Sequence, residues 1–174
     1  MALWGGAELP FLTPPPAGPL AEARALLMGL GALDDRGHIT AHGRLLAALP
    51  LHPRLGHMLA VVGPEAATLA ALLAERDPLR GAGPDLALRM QAVARPGPEV
   101  DRGVVERIRT EAKRLAAAQA SIEKGTPDRY TLAEMAALAY PDRIGLRRKG
   151  EAPRWVLSGG KGAAMAPGLS LSGA

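Results

Sequence analysis

The sequence predicts a mainly α chain: a degenerate winged helix followed by a helical bundle, with a short β-hairpin at the C-terminus. Three observations lead there. Hydrophobic residues fill 48% of the 174 positions while aromatics fill only 3%, so the core must be built from Leu, Ala and Val, which suit close-packed helices better than sheets. Through most of the chain apolar residues recur at three- and four-residue spacing, the period of an α-helix with one buried face. After Gly150 that period gives way to short apolar runs around a Gly-rich turn, the pattern of a hairpin.

The composition also narrows the chemistry. Cys is absent, which removes disulfides and thiolate ligands and fits a reducing, cytoplasmic setting. The most apolar window, Leu55 to Ala74, is interrupted by His57, Pro64 and Glu65, so it reads as two buried helices and no membrane partner is expected. A net charge of +4 and a pI near 10 allow a nucleic-acid partner without requiring one.

Residues 1–18, with the Pro14–Pro16 run, read as an extended lead-in. Residues 19–50 read as a winged-helix-like module. Pro19 suits a first helical position, Leu20, Ala23, Leu27 and Leu30 fall on one face, and Gly29 and Gly31 favour a stop. Leu33 to Ile39 reads as two short strands around a polar turn, a wing, and Thr40 is a natural N-cap for a helix from Ala41 to Leu49.

Residues 51–149 read as a helical bundle. Pro53 opens a helix with Leu55, Met58, Leu59 and Val62 on one face. Pro64 opens another that is apolar nearly all round and belongs at the centre. Pro84 starts a third, with Leu86, Met90 and Val93 inward, and Pro96-Gly97-Pro98 is a break. Asp101 caps the longest helix, to about Ala120. Its inner face is Val104, Val105, Ile108, Ala112 and Leu115; its outer face carries Arg102, Arg107, Arg109, Lys113 and Arg114. Glu106 and Glu111, four residues after Arg102 and Arg107, are expected to pair with them. Ser121 to Arg129 is a polar linker, and Thr131 to Glu134 is a capping box with Tyr130 and Met135 as a hydrophobic staple. Pro141 breaks that helix, and Arg143, Arg147, Arg148 and Lys149 form a basic cluster.

Residues 150–174 read as the start of a β-rich module. Arg154 to Leu157 and Ala163 to Ala166 flank the Ser158–Gly162 turn, and Leu169 to Leu171 could begin a third strand. A lone hairpin is marginal in water, so the chain reads as part of a longer protein.

All four histidines, His38, His42, His52 and His57, fall within twenty residues. His38 and His42 are four apart, but the cap at Thr40 puts one before the helix and one in it, and His52 and His57, five apart, miss the spacing that brings helical side chains together. No Asp or Glu lies between Arg36 and Pro64 to orient an imidazole, so they read as loop and helix-end residues, with no metal expected. Gly160-Lys161 lacks the remaining glycine and the Ser or Thr of a phosphate-binding loop, and no Gly-x-Ser-x-Gly elbow occurs. No catalytic residue and no bound cofactor are therefore assigned to this chain. The basic clusters admit nucleic-acid contact. With only Trp4, Phe11, Tyr130, Tyr140 and Trp155 available, no aromatic stacking platform is expected, and contact would be to the phosphate backbone.

One resemblance adds to this. The stretch FLTPPPAGPLAEARALLMGLGALDDRGHITAHGRLLAALPLHPRLGHML is similar to the region after the second RecA-like domain of DEAH-box and related RNA helicases. The order is PPP, a helix ending in LGALDD, a wing, T-x-x-G-R, then LPLHPRLGHML. LLAERDPLRG, DLALRMQAV, ALAYPDRIGLRRKG and RWVLSGGKGAAM bring it nearest to the HrpB-type ATP-dependent helicases. The resemblance implies a winged helix, a ratchet (HA2-like) bundle and the start of a C-terminal domain, forming one wall of a single-stranded RNA channel. It places ATP and Mg in RecA-like domains that would act in cis and whose motifs are not in this sequence. The candidate contacts to RNA, or to single-stranded DNA, are Arg102, Arg109 and Lys113 on the long helix, with Arg143, Arg147 and Arg148 beyond it. The alternative is a non-enzymatic protein-interaction domain that docks a partner on Leu20–Leu30 and Leu55–Leu73.

Overall fold

The computed structural model describes residues 11–120, 130–169 and 171–173. It is mainly helical, with a small three-stranded antiparallel sheet near the C-terminus. The polar linker expected over Ser121–Arg129 lies outside the described residues.

Helix α1 spans Ala17–Gly29, starting two residues before Pro19 because Pro16, extended at φ −54°, already serves as its N-cap. Its expected inner face is only partly covered, with Leu20 and Leu27 half-buried. None of its residues is buried, and the first buried side chain is Leu30, just past its end. Leu26 and Met28 flank the Leu20–Leu27 stripe on either side, so the apolar surface of α1 is broader than one stripe.

The wing is a single antiparallel bridge, Leu33 to Ile39. The Asp34 carboxylate accepts from the backbone N–H groups of Arg36 at 2.9 Å and His38 at 2.8 Å, and Gly37 takes φ +81° to close the turn. Thr40 caps α2 (Ala41–Ala48) by accepting from Gly43 N–H, and its hydroxyl donates to Gly31 O at 2.7 Å. One residue thus starts the helix and ties it to the end of α1. Gly43 is needed there: a Cβ would overlap the Ala32 carbonyl and lie 2.8 Å from Ile39 Cγ1.

Helix α3 (Pro53–Val62) meets α2 at 109° across a four-residue turn, the corner geometry of a helix-turn-helix. Leu55, Met58, Leu59 and Val62 are buried as their spacing predicts. A 3-10 turn, Pro64–Ala66, leads into α4 (Ala67–Ala74), whose Ala67, Leu69, Ala70, Ala71 and Leu72 are all buried. α4 is the central helix and packs along α6 (Arg102–Ala120). The five inner residues expected for α6 are all buried. Leu55–Leu73 is therefore core, and the docking surface considered for it is not available.

Helix α5 (Leu86–Ala94) starts two residues after Pro84, because Asp85 takes the cap and accepts from Ala87 N–H at 2.8 Å. Asp101 caps the start of α6 by accepting from Val104 N–H at 3.1 Å. Helix α7 (Leu132–Ala139) carries the complete capping box of Thr131 and Glu134, and Tyr130 and Met135 both lean on the main core.

A 3-10 turn, Pro141–Arg143, leads to the sheet of β1 (Gly145–Arg147), β2 (Arg154–Leu157) and β3 (Gly162–Ala164), in that order. The sheet thus begins before the expected boundary at 150. The period-two signal of Ile144, Gly145, Leu146 and Arg147 is hidden inside a basic run. Leu169 and Leu171 lie in turns, so the third strand comes before the hairpin, not after it. The sheet is tied to the end of α7 by Gly159 N–H donating to Asp142 O at 2.9 Å and Ser158 N–H donating to Ile144 O at 2.8 Å.

Candidate nucleic-acid interface

Charge is unevenly distributed along the chain. From Arg143 onward there are six basic residues, Arg143, Arg147, Arg148, Lys149, Arg154 and Lys161, against Glu151 alone. That end is net +5 while the whole chain is +4, so the 142 residues before it are close to neutral.

Part of the neutral segment's charge is paired within itself, most closely on α3, α5 and α6. Arg107 donates to Glu75 at 3.1 Å from α6 to the end of α4, and this holds the Glu75 carboxyl below its ordinary range. Arg114 pairs with Glu111 at 2.6 Å and Arg109 with Glu106 at 2.9 Å. These are not the expected pairs. Each Glu meets the Arg three residues after it, not the Arg four before it, because Glu N-terminal to a cation is the orientation the helix dipole favours.

Arg102, Arg109 and Lys113 share one stripe of α6, by spacings of seven and four. Arg102 and Lys113 are exposed and make no ion pair among the described residues. Arg109 is engaged. Its guanidinium donates to Val93 O at 2.7 and 3.0 Å and to Ala94 O at 3.2 Å, closing the C-terminus of α5.

Arg143, Arg147 and Arg148 flank the turn and first strand of the sheet. The Arg143 guanidinium lies 4.7 Å from the centre of the Tyr140 ring. Arg147, the last residue of β1, and Arg148, just after it, are both exposed. Among the described residues no basic side chain from Arg143 onward has an ion-pair partner.

Several interacting residues carry no local sequence signal. Arg54, on α3, reaches Asp142 at 2.5 Å and Ala139 O at 3.2 Å, with Tyr140 beside it. Arg89 gathers the loop before α5 by pairing with Asp77 at 2.7 Å and donating to Gly83 O and to Asp85 O at 2.9 Å. His42 and His57, read as loop and helix-end residues, face each other across the 109° corner with Nε2 and Nδ1 2.8 Å apart. Burial holds both imidazoles below their ordinary pKa, with the charge of His42 adding to the effect at His57. His57 also lines a cavity of about 350 Å³ with Leu30, Tyr130 and Glu134. His52 is at a helix end as expected, capping α3. Among the described residues no group of three or more His, Asp or Glu could hold a metal ion.

The Gly160-Lys161 pair sits in the turn between β2 and β3, with Leu157 N–H donating to Lys161 O at 2.8 Å. Strand β3 follows it, not a helix, so these residues do not fit a nucleotide phosphate. Among the described residues no single helix is long and apolar enough to cross a membrane.

Comparison with known proteins bears on the fold. The family described as "Helicase associated domain (HA2), winged-helix" matches residues 23–51, the end of α1 through the wing and α2. ATP-dependent RNA helicase HrpB of Escherichia coli is 34% identical over 175 residues, covering 97% of this chain and 20% of that protein. "Probable ATP-dependent RNA helicase DHR1" of Saccharomyces cerevisiae is 40% identical over 74 residues, 42% of this chain and 6% of that one. Two crystal structures of E. coli HrpB, described as a DExH-box NTPase and a DEAH/RHA helicase, each superpose with TM-score 0.75 at 30% identity over 98% of this chain. The chain spans about a fifth of the length of HrpB. Over nearly its whole length, in sequence and in fold, this chain is homologous to the helicase-associated C-terminal region of the HrpB-type DExH-box helicases.

Proposed function

We propose that this chain acts as the accessory region of an HrpB-like ATP-dependent RNA helicase, lining the path of single-stranded RNA with a phosphate-binding wall. The observation that carries this reading is the positive charge of the sheet end, net +5 with no ion pair among the described residues, beside a nearly neutral and partly paired bundle. Arginines without carboxylate partners keep their donors for phosphate. In this reading Arg143, Arg147 and Arg148 make the main backbone contacts, and Arg102 and Lys113 on α6 extend the track. Arg109 holds α5 against α6 and presents only its outer edge. ATP and Mg bind in RecA-like domains in cis. The apolar residues of α1, of which Met28 is exposed and Leu20, Leu26 and Leu27 are half-buried, are the surface that meets those domains.

Binding of a fluorescent single-stranded RNA by this chain, measured by anisotropy across a salt series, tests the reading. Affinity should fall steeply with salt. Replacing Arg143, Arg147 and Arg148 together by Ala should weaken binding and lower the log–log slope by about 2, since each phosphate contact contributes about 0.7 on single strands. Salt-independent binding, or none at low salt, would overturn it. Selective binding to an acidic protein instead would favour a protein-interaction domain.

A further inference from the structure

Trp155, in the central strand of the sheet, stands directly opposite Arg147 in the register of β1 and β2. Directly opposed residues of an antiparallel pair project from the same face, so Trp155 and the exposed Arg147 share one face of the sheet. Beside them β1 carries Gly145, where a Cβ would lie 3.3 Å from Trp155 Cδ1. The indole therefore rests against bare backbone, a position that a side chain would crowd. It is only half-buried, and no hydrogen bond of its ring N–H occurs among the described residues. A large aromatic on a small sheet, outside the buried core, keeps part of its surface open to solvent. Its surroundings are basic, with Glu151 the one acid from Arg143 onward.

We infer that Trp155 and Arg147 form a stacking site for one unstacked nucleobase of a single strand, with the base on the indole and the adjoining phosphate on the guanidinium. The inference rests on the functional reading above and refines it: the sheet face takes bases as well as backbone. Stacking is tolerant of sequence because every base has a π-face, and it is favoured beside an arginine. The occupant has to be single-stranded, since a paired base cannot present its face to a side chain.

The test uses this chain with Trp4→Phe, so that Trp155 is its remaining tryptophan. It is titrated at low salt with a short oligoadenylate and with an abasic strand of equal length and charge. The intact strand should quench Trp155 fluorescence and bind about fivefold or more tightly than the abasic strand, the size of effect expected for one stacked base. Trp155→Leu, which keeps apolar bulk over Gly145 but no flat π-face, should remove that preference, and Trp155→Phe should retain part of it. Equal, salt-sensitive binding of both strands with unchanged fluorescence would overturn the stacking site and leave the phosphate wall standing. Absence of binding to either strand would overturn both. The fluorescence and abasic comparisons need no substitution at Trp155, so a poorly folding variant leaves the result decisive.

Discussion

The guanidinium of Arg54 donates to the carboxylate of Asp142 at 2.5 Å, across 88 residues of sequence. Arg54 lies near the start of α3, and Asp142 sits in the 3-10 turn that leads into the sheet. The same turn accepts the backbone N–H of Gly159 from beyond β2. This one contact thus connects the winged-helix corner, the end of α7 and the sheet that carries the free arginines.

Replacing Arg54 by Met should destabilise the chain by about 1–3 kcal/mol, since it breaks a charge-assisted hydrogen bond and leaves Ala139 O without this donor. Asp142 is half-exposed, which limits the loss. The Arg54 guanidinium holds the Asp142 carboxyl below its ordinary range. A depressed folded value gives stabilisation that is complete above the unfolded value of about 3.9 and is lost as pH falls through the folded one. Urea melts should therefore show the wild-type advantage at pH 7 and its narrowing below about pH 4.

Gly43→Ala and Gly29→Ala form a matched pair. Both are helical glycines that Ala's higher propensity would favour by up to about 1 kcal/mol. At Gly43 the added methyl meets the Ala32 carbonyl and Ile39, and at Gly29 nothing lies within 4 Å. Gly43→Ala should cost about 1–3 kcal/mol net, and Gly29→Ala should be neutral or slightly stabilising. Thermal melts followed by circular dichroism distinguish the two.

The imidazoles of His42 and His57 share a hydrogen bond that needs one donor and one acceptor. Protonating both makes them like-charged donors. Because burial lowers both folded pKa values, the unfolded chain takes up protons first. Stability is then complete above the unfolded value of about 6.5 and declines as pH falls below it. The urea midpoint should drop between pH 7.5 and pH 5.5 in the wild type, and the drop should shrink in His42→Gln and His57→Gln.

Arg109 and Lys113 should separate a structural role from a binding role. Arg109→Ala leaves the Val93 and Ala94 carbonyls without their donor and should cost about 1–3 kcal/mol of stability. Lys113→Ala, at an exposed position, should stay within about 0.5 kcal/mol of wild type and act only on RNA affinity. Denaturant unfolding beside anisotropy measures both quantities on the same samples.

The helix starts at Thr40, Asp101 and Thr131 were legible because a cap is a local event: one side chain accepts from a backbone N–H two or three residues on. The inner face of α6 was legible because its five apolar residues follow one helical period. Strand β1 was not, because three residues inside a basic run give too little period-two signal. The cover of α1 was not, because an apolar helix says only that it wants a neighbour, not that one lies within the same described residues. At the interface, the six arginines and lysines were legible as a list but their states were not. Arg109 is engaged by the last turn of helix α5, sixteen residues away, and Arg147 is set opposite Trp155 only by strand register. The His42–His57 pair depends on the 109° corner between α2 and α3 in the same way.

The central claim is that single-stranded RNA meets this chain at the basic sheet and its approach, not at the paired face of the bundle. Photocrosslinking of a 4-thiouridine-containing single strand, followed by peptide mass spectrometry, locates the contact directly. The account predicts crosslinked peptides concentrated between Arg143 and Met165, with Trp155 among the modified residues and a minor track at Arg102 and Lys113. Crosslinks confined to α1 or to the paired face around Glu75, Arg107 and Glu111, with none in the sheet, would contradict it.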